Sequence, residues 1–180
     1  MTETVQPAIT ADMTMEEILQ RMPSAQRALF QRYHVGGCSS CAFQPTDTLA
    51  QVCKDHNLLD VNEVVAHLMK AQELDERIRA EPLTIKGWLD AGETFAFIDV
   101  RQPDELAQAR VPEAVPLDYQ NSDKYMQLPR EHKLVFLCKD GDRSLDVAAY
   151  FIGHGFTDVW CVRGGIDGWR QAVDPSIPNY

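Results

Sequence analysis

The chain predicts an α/β fold, a parallel sheet with helices on both faces, preceded by a small all-α domain. Three observations carry that expectation. After residue 82, short apolar segments such as Leu134-Val135-Phe136-Leu137 alternate with amphipathic ones, the pattern of strands buried on both faces. Before residue 80, every periodic segment keeps helical spacing. A hydrophobic fraction of 44% with three tryptophans supplies the apolar surface for packed cores. The 180 residues divide accordingly into a helical domain at 1–70, a helical connector at 71–82 and an α/β domain at 83–180.

Each element has a local reason. Thr14 and Glu17 form a capping box ahead of a short helix carrying Ile18 and Leu19. Pro23-Ser24 restarts a helix with Leu29, Phe30 and Tyr33 on one side, stopped by Gly36-Gly37. A third helix is expected over Leu49 to His56. Asp60 with Glu63 caps a fourth, on which Val61, Val64, Val65 and Leu68 keep helical spacing. Its charge-rich tail, Ala71 to Ala80, extends as a solvated helix to Glu81-Pro82. Strands follow at Phe95 to Val100, Leu134 to Leu137 and Asp158 to Val162, with a short extended piece at Ala114-Val115-Pro116. Helices are expected at Pro103 to Gln108, Ser144 to His154 and Ile166 to Ala172, with Gly164-Gly165 as a turn. His154, Trp88, Trp160 and Trp169 read as fold residues.

Composition excludes several classes. A net charge of −10 disfavours a nucleic-acid backbone as partner and slows encounter with small anions. No apolar run reaches the roughly 18 residues of a membrane span. The start, MTETVQPAIT, has neither the basic nor the apolar region of a secretory signal, so a cytoplasmic chain is the expectation. Five cysteines (38, 41, 53, 138 and 161) are too few for a disulfide scaffold at this length and point to catalytic, redox or metal-binding roles.

Cys138 stands where a parallel α/β sheet places its functional loops, at the carboxyl end of a strand and before a helix. The residues Lys139, Asp140, Gly141, Asp142, Arg143 and Ser144 curl between the two, and Gly141 permits the turn. Such a loop points backbone amides inward as an anion-binding nest. With the helix dipole, that arrangement is expected to lower the pKa of the enclosed thiol and to hold its thiolate as a nucleophile. An isolated cysteine at a strand end is more often a buried structural residue. The glycine, the arginine five residues on and Ser144, expected to cap the helix, favour the reactive loop.

Residues 83–172 resemble a rhodanese (sulfurtransferase) domain. Ile98-Asp99-Val100-Arg101-Gln102-Pro103-Asp104-Glu105 matches the family's I-D-V-R-x-x-x-E segment. Cys138 to Ser144 matches its C-x-x-G-x-R-S loop, and Gly155-Phe156-Thr157-Asp158-Val159 with Gly164-Gly165-Ile166-Asp167-Gly168-Trp169 its ending. The resemblance implies that Cys138 carries a sulfane sulfur as a persulfide and hands it to a thiol or other nucleophilic acceptor, with no cofactor required. It further implies that Arg143 braces the loop and adds positive potential, while Asp99 and Arg101 support the loop or its rim. Arg101 and Glu105, four apart, are a possible pair, and plain structural support is favoured for Asp99 and Glu105. Where the family has G-H-I-P-G-A, this chain has Ala109-Arg110-Val111-Pro112-Glu113-Ala114, so local adjustment is expected there.

Related folds include phosphatases and arsenate reductases with a cysteine loop closed by arginine. Those enzymes have five residues between Cys and Arg; here four intervene, and Leu137 replaces the histidine that precedes the phosphatase cysteine. The smaller ring suits a persulfide sulfur better than a phosphoryl group. Asp140 and Asp142 offset Lys139 and Arg143, which predicts that thiosulfate is a poor donor and that a low-molecular-weight or protein persulfide is preferred. A non-catalytic sulfur or redox sensor, or a partner-binding module, persulfidated on Cys138, is the alternative.

His34-Val35-Gly36-Gly37-Cys38-Ser39-Ser40-Cys41 is the second chemical cluster. A C-x-x-C is a dithiol redox pair, half of a metal or iron–sulfur site, or two adjacent thiols. Cys53 with His34 or His56 would complete four ligands, although Cys53 on its helix also reads as core. Residues 10–70 resemble, loosely, a small helical cysteine-pair domain of unknown function found alone or beside iron–sulfur and nitrosative-stress proteins, which implies redox or sulfur-related work. Cys38 and Cys41 are candidate sulfur acceptors from Cys138. Cys161, on the last strand, is expected in the core.

Overall fold

A computed structural model of the chain describes residues 9–36, 43–58 and 60–180. The chain separates into two units, Met1–Glu76 and Arg77–Tyr180. Cys38 and Cys41 lie outside the described residues.

In the first unit, Thr14 caps α1 (Met15–Arg21) through the reciprocal box with Glu17. Thr48 caps α3 (Leu49–Asp55) with its hydroxyl on the Gln51 amide. The two caps are tied by an antiparallel bridge between Thr14 and Thr48, so both helices start from one point. α2 (Ala25–Tyr33) ends on His34 in the left-handed conformation, and α4 runs Val61–Arg77. Met15, Ile18, Leu29, Leu49, Val52, Cys53 and Leu68 fill the core between the helices. Leu29 is fully buried, whereas Phe30, expected on the same face, is 46% exposed. Cys53 belongs to this apolar cluster, and burial pushes its thiol up.

The second unit is a parallel sheet in the order β1-β5-β4-β2-β3. Its strands are β1 (Arg79–Ala80), β2 (Ala96–Asp99), β3 (Val115–Pro116), β4 (Leu134–Leu137) and β5 (Val159–Val162). The remaining helices are α5 (Pro82–Asp90), α6 (Pro103–Gln108), α7 (Asp123–Met126), α8 (Arg143–Gly153) and α9 (Gly165–Ala172). Strand alternation sorts side chains onto two faces. Ile98, Phe136 and Cys161 point with Leu145, Ala148 and Phe151 of α8 into one core. Phe97, Val135, Leu137 and Val162 meet Ile85 of α5 and Ile166 and Trp169 of α9 in the other. Helices therefore cover both faces, as the apolar strands predict.

One expected element changes. The helical tail reaching Glu81 stops at Arg77, and Arg79-Ala80 joins the sheet as β1 beside Cys161-Val162. A two-residue strand carries too little pattern to be told from a helix end. α5 and α7 were not anticipated either, the first because Pro82 reads as a stop and here occupies the first helical turn.

The β5–α9 turn positions the site. Gly164 and Gly165 adopt φ of 70° and 57°. A Cβ on Gly165 would lie 2.5 Å from the carbonyl oxygens of Cys138 and Lys139. The close approach lets the Ile166 and Asp167 amides donate to those same carbonyls, at 2.8 and 3.2 Å. Gly165→Ala is therefore expected to destabilise the second unit by about 2 kcal/mol or more. All three tryptophans lie in that unit, so the urea midpoint by tryptophan fluorescence reads its unfolding; an unchanged midpoint would contradict the contact.

Candidate active site at the carboxyl end of the sheet

The strand β4 delivers Cys138 on the same face as Phe136, and Gly141 turns the chain with φ of 95°. A side chain at Gly141 would meet Gly164 N at 2.9 Å and Val162 O at 3.0 Å, so glycine is required both for φ and for space. The consequence is a convergence on sulfur. The Gly141 and Ser144 amides donate to Cys138 Sγ at 3.1 and 3.3 Å. Ser144 Oγ lies 3.5 Å from Sγ while its hydroxyl donates to the Gly141 carbonyl at 3.1 Å. The thiol proton has two acceptors in reach, Ser144 Oγ and Asp140 Oδ1, the latter at 3.7 Å.

The expected lowering of the thiol pKa does not hold. Cys138 is fully buried. Burial pushes its thiol up, ahead of the opposing pull of the Ser144 hydroxyl and the Ser144 and Gly141 amides, and the Asp140 carboxylate adds to the rise. Ser144 is also not the cap of α8: Asp142 holds that position without a side-chain cap bond, and Ser144 sits buried in the first turn, facing the sulfur.

Lys139, Asp142 and Arg143 of the loop are engaged with other elements, and Asp140 within the loop itself. Arg143 does not turn inward; its guanidinium grips Glu105 of α6 with two bonds of 2.9 and 2.8 Å. That pairing replaces the expected Arg101–Glu105 contact and holds the Glu105 carboxyl below its usual range. Asp142 pairs with Arg79 at 2.7 Å, and Lys139 with Asp167 at 3.2 Å. Asp140 accepts the Asp142 amide at 3.0 Å.

Asp99 and Arg101 form a buried pair rather than an exposed rim. Both are buried, Arg101 completely. The guanidinium meets the carboxylate at 2.9 and 2.6 Å, and also donates to Ala109 O at 2.9 Å and Tyr180 Oη at 2.5 Å. Removing one partner of such a pair strands a buried charge, at a cost of about 3–5 kcal/mol. The departure at Ala109–Ala114 is absorbed locally: Arg110 Nε donates to Leu106 O at 2.9 Å, and Val111 is buried.

Cys161 pairs beside Phe136 and is fully buried in the same core. Among the described residues, no cluster of three or more His, Cys, Asp or Glu is placed to hold a metal ion. The Cys38/Cys41 candidate lies outside them. No helix among the described residues is long and apolar enough to cross a membrane.

The buttress Gly164-Gly165, the Glu105 clamp on Arg143 and the contacts of Tyr180 were not read as parts of the site. The Gly-Gly pair was visible as a turn; Tyr180 carried no sequence signal at all.

A cysteine at the carboxyl end of a central strand, cradled by amides and braced by a Gly-Gly turn, defines a sulfur-centred loop of the kind rhodanese domains present. Residues 70–172 match the model of the rhodanese-like domain family, and the chain belongs to it. It is 36% identical over 75 residues to the thiosulfate sulfurtransferase GlpE of Pseudomonas syringae pv. syringae, covering 41% of this chain and 71% of GlpE. It is 33% identical over 102 residues to the probable adenylyltransferase/sulfurtransferase MoeZ of Mycobacterium tuberculosis, covering 55% of this chain but only 26% of MoeZ. Among solved structures, a rhodanese-like domain protein from Staphylococcus aureus superimposes with a TM-score of 0.46 at 22% identity, over 57% of this chain and 97% of that one.

Because a cysteine is alkylated as its thiolate and burial pushes the Cys138 thiol up, alkylation of Cys138 by iodoacetamide is expected to accelerate as pH rises through and beyond the ordinary thiol value of about 8.5. Peptide mass spectrometry of the Cys138 site reads the rate. A plateau reached below pH 7 would show that the amides outweigh burial.

Proposed function

We propose that the chain is a rhodanese-type sulfurtransferase that moves a sulfane sulfur through a persulfide on Cys138. The Cys138 thiolate attacks the sulfane sulfur of a donor. A new S–S bond forms, the donor's bond to that sulfur breaks, and the leaving group departs with the electron pair. The charge then rests on the outer sulfur, and an acceptor thiolate attacks that sulfur and returns the electron pair to Cys138 Sγ. The observation that carries this reading is the convergence of the Gly141 and Ser144 amides on Sγ within a loop of four intervening residues. The Ser144 hydroxyl supplies a third donor once it turns from the Gly141 carbonyl.

The preferred donor is a low-molecular-weight or protein persulfide rather than thiosulfate. Arg143 and Lys139 are occupied by Glu105 and Asp167, while Asp140 stands beside the sulfur, so a dianion meets no uncommitted cation of the loop. The relative GlpE is named for thiosulfate, which makes that donor the comparison to run. We further propose that the segment around Cys38 and Cys41 belongs to the small helical cysteine-pair domains and serves as an acceptor. Cys38 would take the outer sulfur as a persulfide, and attack by Cys41 would close a disulfide and release hydrosulfide.

Intact mass spectrometry after exposure to glutathione persulfide tests the assignment. The wild type is expected to gain a sulfur, roughly 32 Da, and Cys138→Ala to gain none at that site. With a thiol acceptor present the wild type should cycle through many equivalents. A halt after one equivalent would instead mark a sulfur sensor, and an adduct surviving in Cys138→Ala would remove Cys138 as the nucleophile.

A further inference from the structure

Lys139 follows the nucleophile directly, yet its side chain leaves the loop. Its Nζ donates to the main-chain oxygen of Tyr180 at 2.5 Å and lies 3.9 Å from the centre of the Tyr180 ring. Asp167 completes the ammonium's surroundings at 3.2 Å. Tyr180 is itself anchored: its hydroxyl accepts from Arg101 Nη1 at 2.5 Å, and Ile177, three residues before it, is buried in the core beside α9. One aromatic residue, remote in sequence, thus links the loop's lysine to the buried Asp99–Arg101 pair.

We propose that Tyr180 is a specificity-determining positioning residue that holds Lys139 away from the mouth of the loop and so biases Cys138 against anionic sulfur donors. The inference rests on the reading of Cys138 as nucleophile and deepens it to donor class. In the clamped state the lysine charge is shared with a carboxylate, a main-chain oxygen and a ring face. The loop then presents Asp140 near Sγ, offset only by Arg143, whose guanidinium is shared with Glu105. Released, Lys139 sits one residue from Cys138 and contributes its full charge to an approaching anion. A unit charge about 8 Å away across water favours a monoanion about twofold and a dianion about fivefold. Loading by thiosulfate is the step affected: the Cys138 thiolate bonds to the outer sulfur, the S–S bond of thiosulfate breaks, and sulfite leaves with the electron pair. Charge balances as three negative charges on each side.

Two reagents read the charge bias without sulfur chemistry. Iodoacetate and iodoacetamide alkylate the same thiolate and differ by one negative charge, so their rate ratio at Cys138, followed by peptide mass spectrometry at low ionic strength, reports the local potential. In the full chain, Tyr180→Ala is expected to raise the iodoacetate/iodoacetamide ratio about twofold, to lower the KM for thiosulfate with kcat little changed, and to lose both effects at high salt. Adding Lys139→Gln to Tyr180→Ala should return the ratio to the wild-type value. Tyr180→Phe keeps the ring against Lys139 and removes only the bond to Arg101, so its ratio should stay near wild type. An unchanged ratio in Tyr180→Ala, equal acceleration of both reagents, or a gain that survives Lys139→Gln would each overturn the clamp. A raised ratio with no sulfur loading from any donor would leave the clamp standing and remove the sulfurtransferase reading instead.

Discussion

The approach of the β5–α9 turn to the cysteine loop is the constraint on which the rest of the site depends. Two backbones pack so closely at Gly165 that a single methyl group would overlap the Cys138 and Lys139 carbonyls. The Cys138 and Lys139 carbonyls accept from the Ile166 and Asp167 amides, while the Gly141 and Ser144 amides donate to the sulfur. Those two donors to the sulfur are main-chain groups, which cost no reorganisation when negative charge arrives.

Charge is arranged around that cradle in pairs. Arg143 with Glu105, Arg79 with Asp142 and Lys139 with Asp167 each tie the loop or the start of α8 to a neighbouring element. In the interior, Arg101 joins Asp99 to the Ala109 carbonyl and the Tyr180 hydroxyl, where the pair is shielded from solvent and salt. These contacts tie the loop to its neighbours and pair each of its cations with a carboxylate. Burial of the thiol disfavours its thiolate.

Much of this was legible in the sequence because the signals were local. The apolar run of β4, the glycine at 141 and the helix beyond it share one short stretch, and Cys138 is found where they place it. The three-segment likeness to rhodanese domains agrees with the family match over residues 70–172. What stayed hidden depends on distance. Glu105 pairs with a residue 38 positions away, and Tyr180 meets Lys139 and Arg101 across 41 and 79 positions. Spacing along a helix suggested Arg101 for Glu105, but the buried carboxylate of Asp99 claimed that guanidinium first. The thiol's pKa was misjudged for a related reason: amide donors can be anticipated from a motif, whereas the depth of burial is set by the whole sheet.

The central claim is that main-chain amides of the loop hold the charge of the transferred sulfur, and amide NMR tests it most directly. On the ¹⁵N-labelled protein loaded with one sulfur, the Gly141 and Ser144 resonances should show the largest shifts in the α/β unit and return when a thiol acceptor unloads Cys138. A protein shown by mass to carry sulfur on Cys138, with both amides unmoved, would contradict the account.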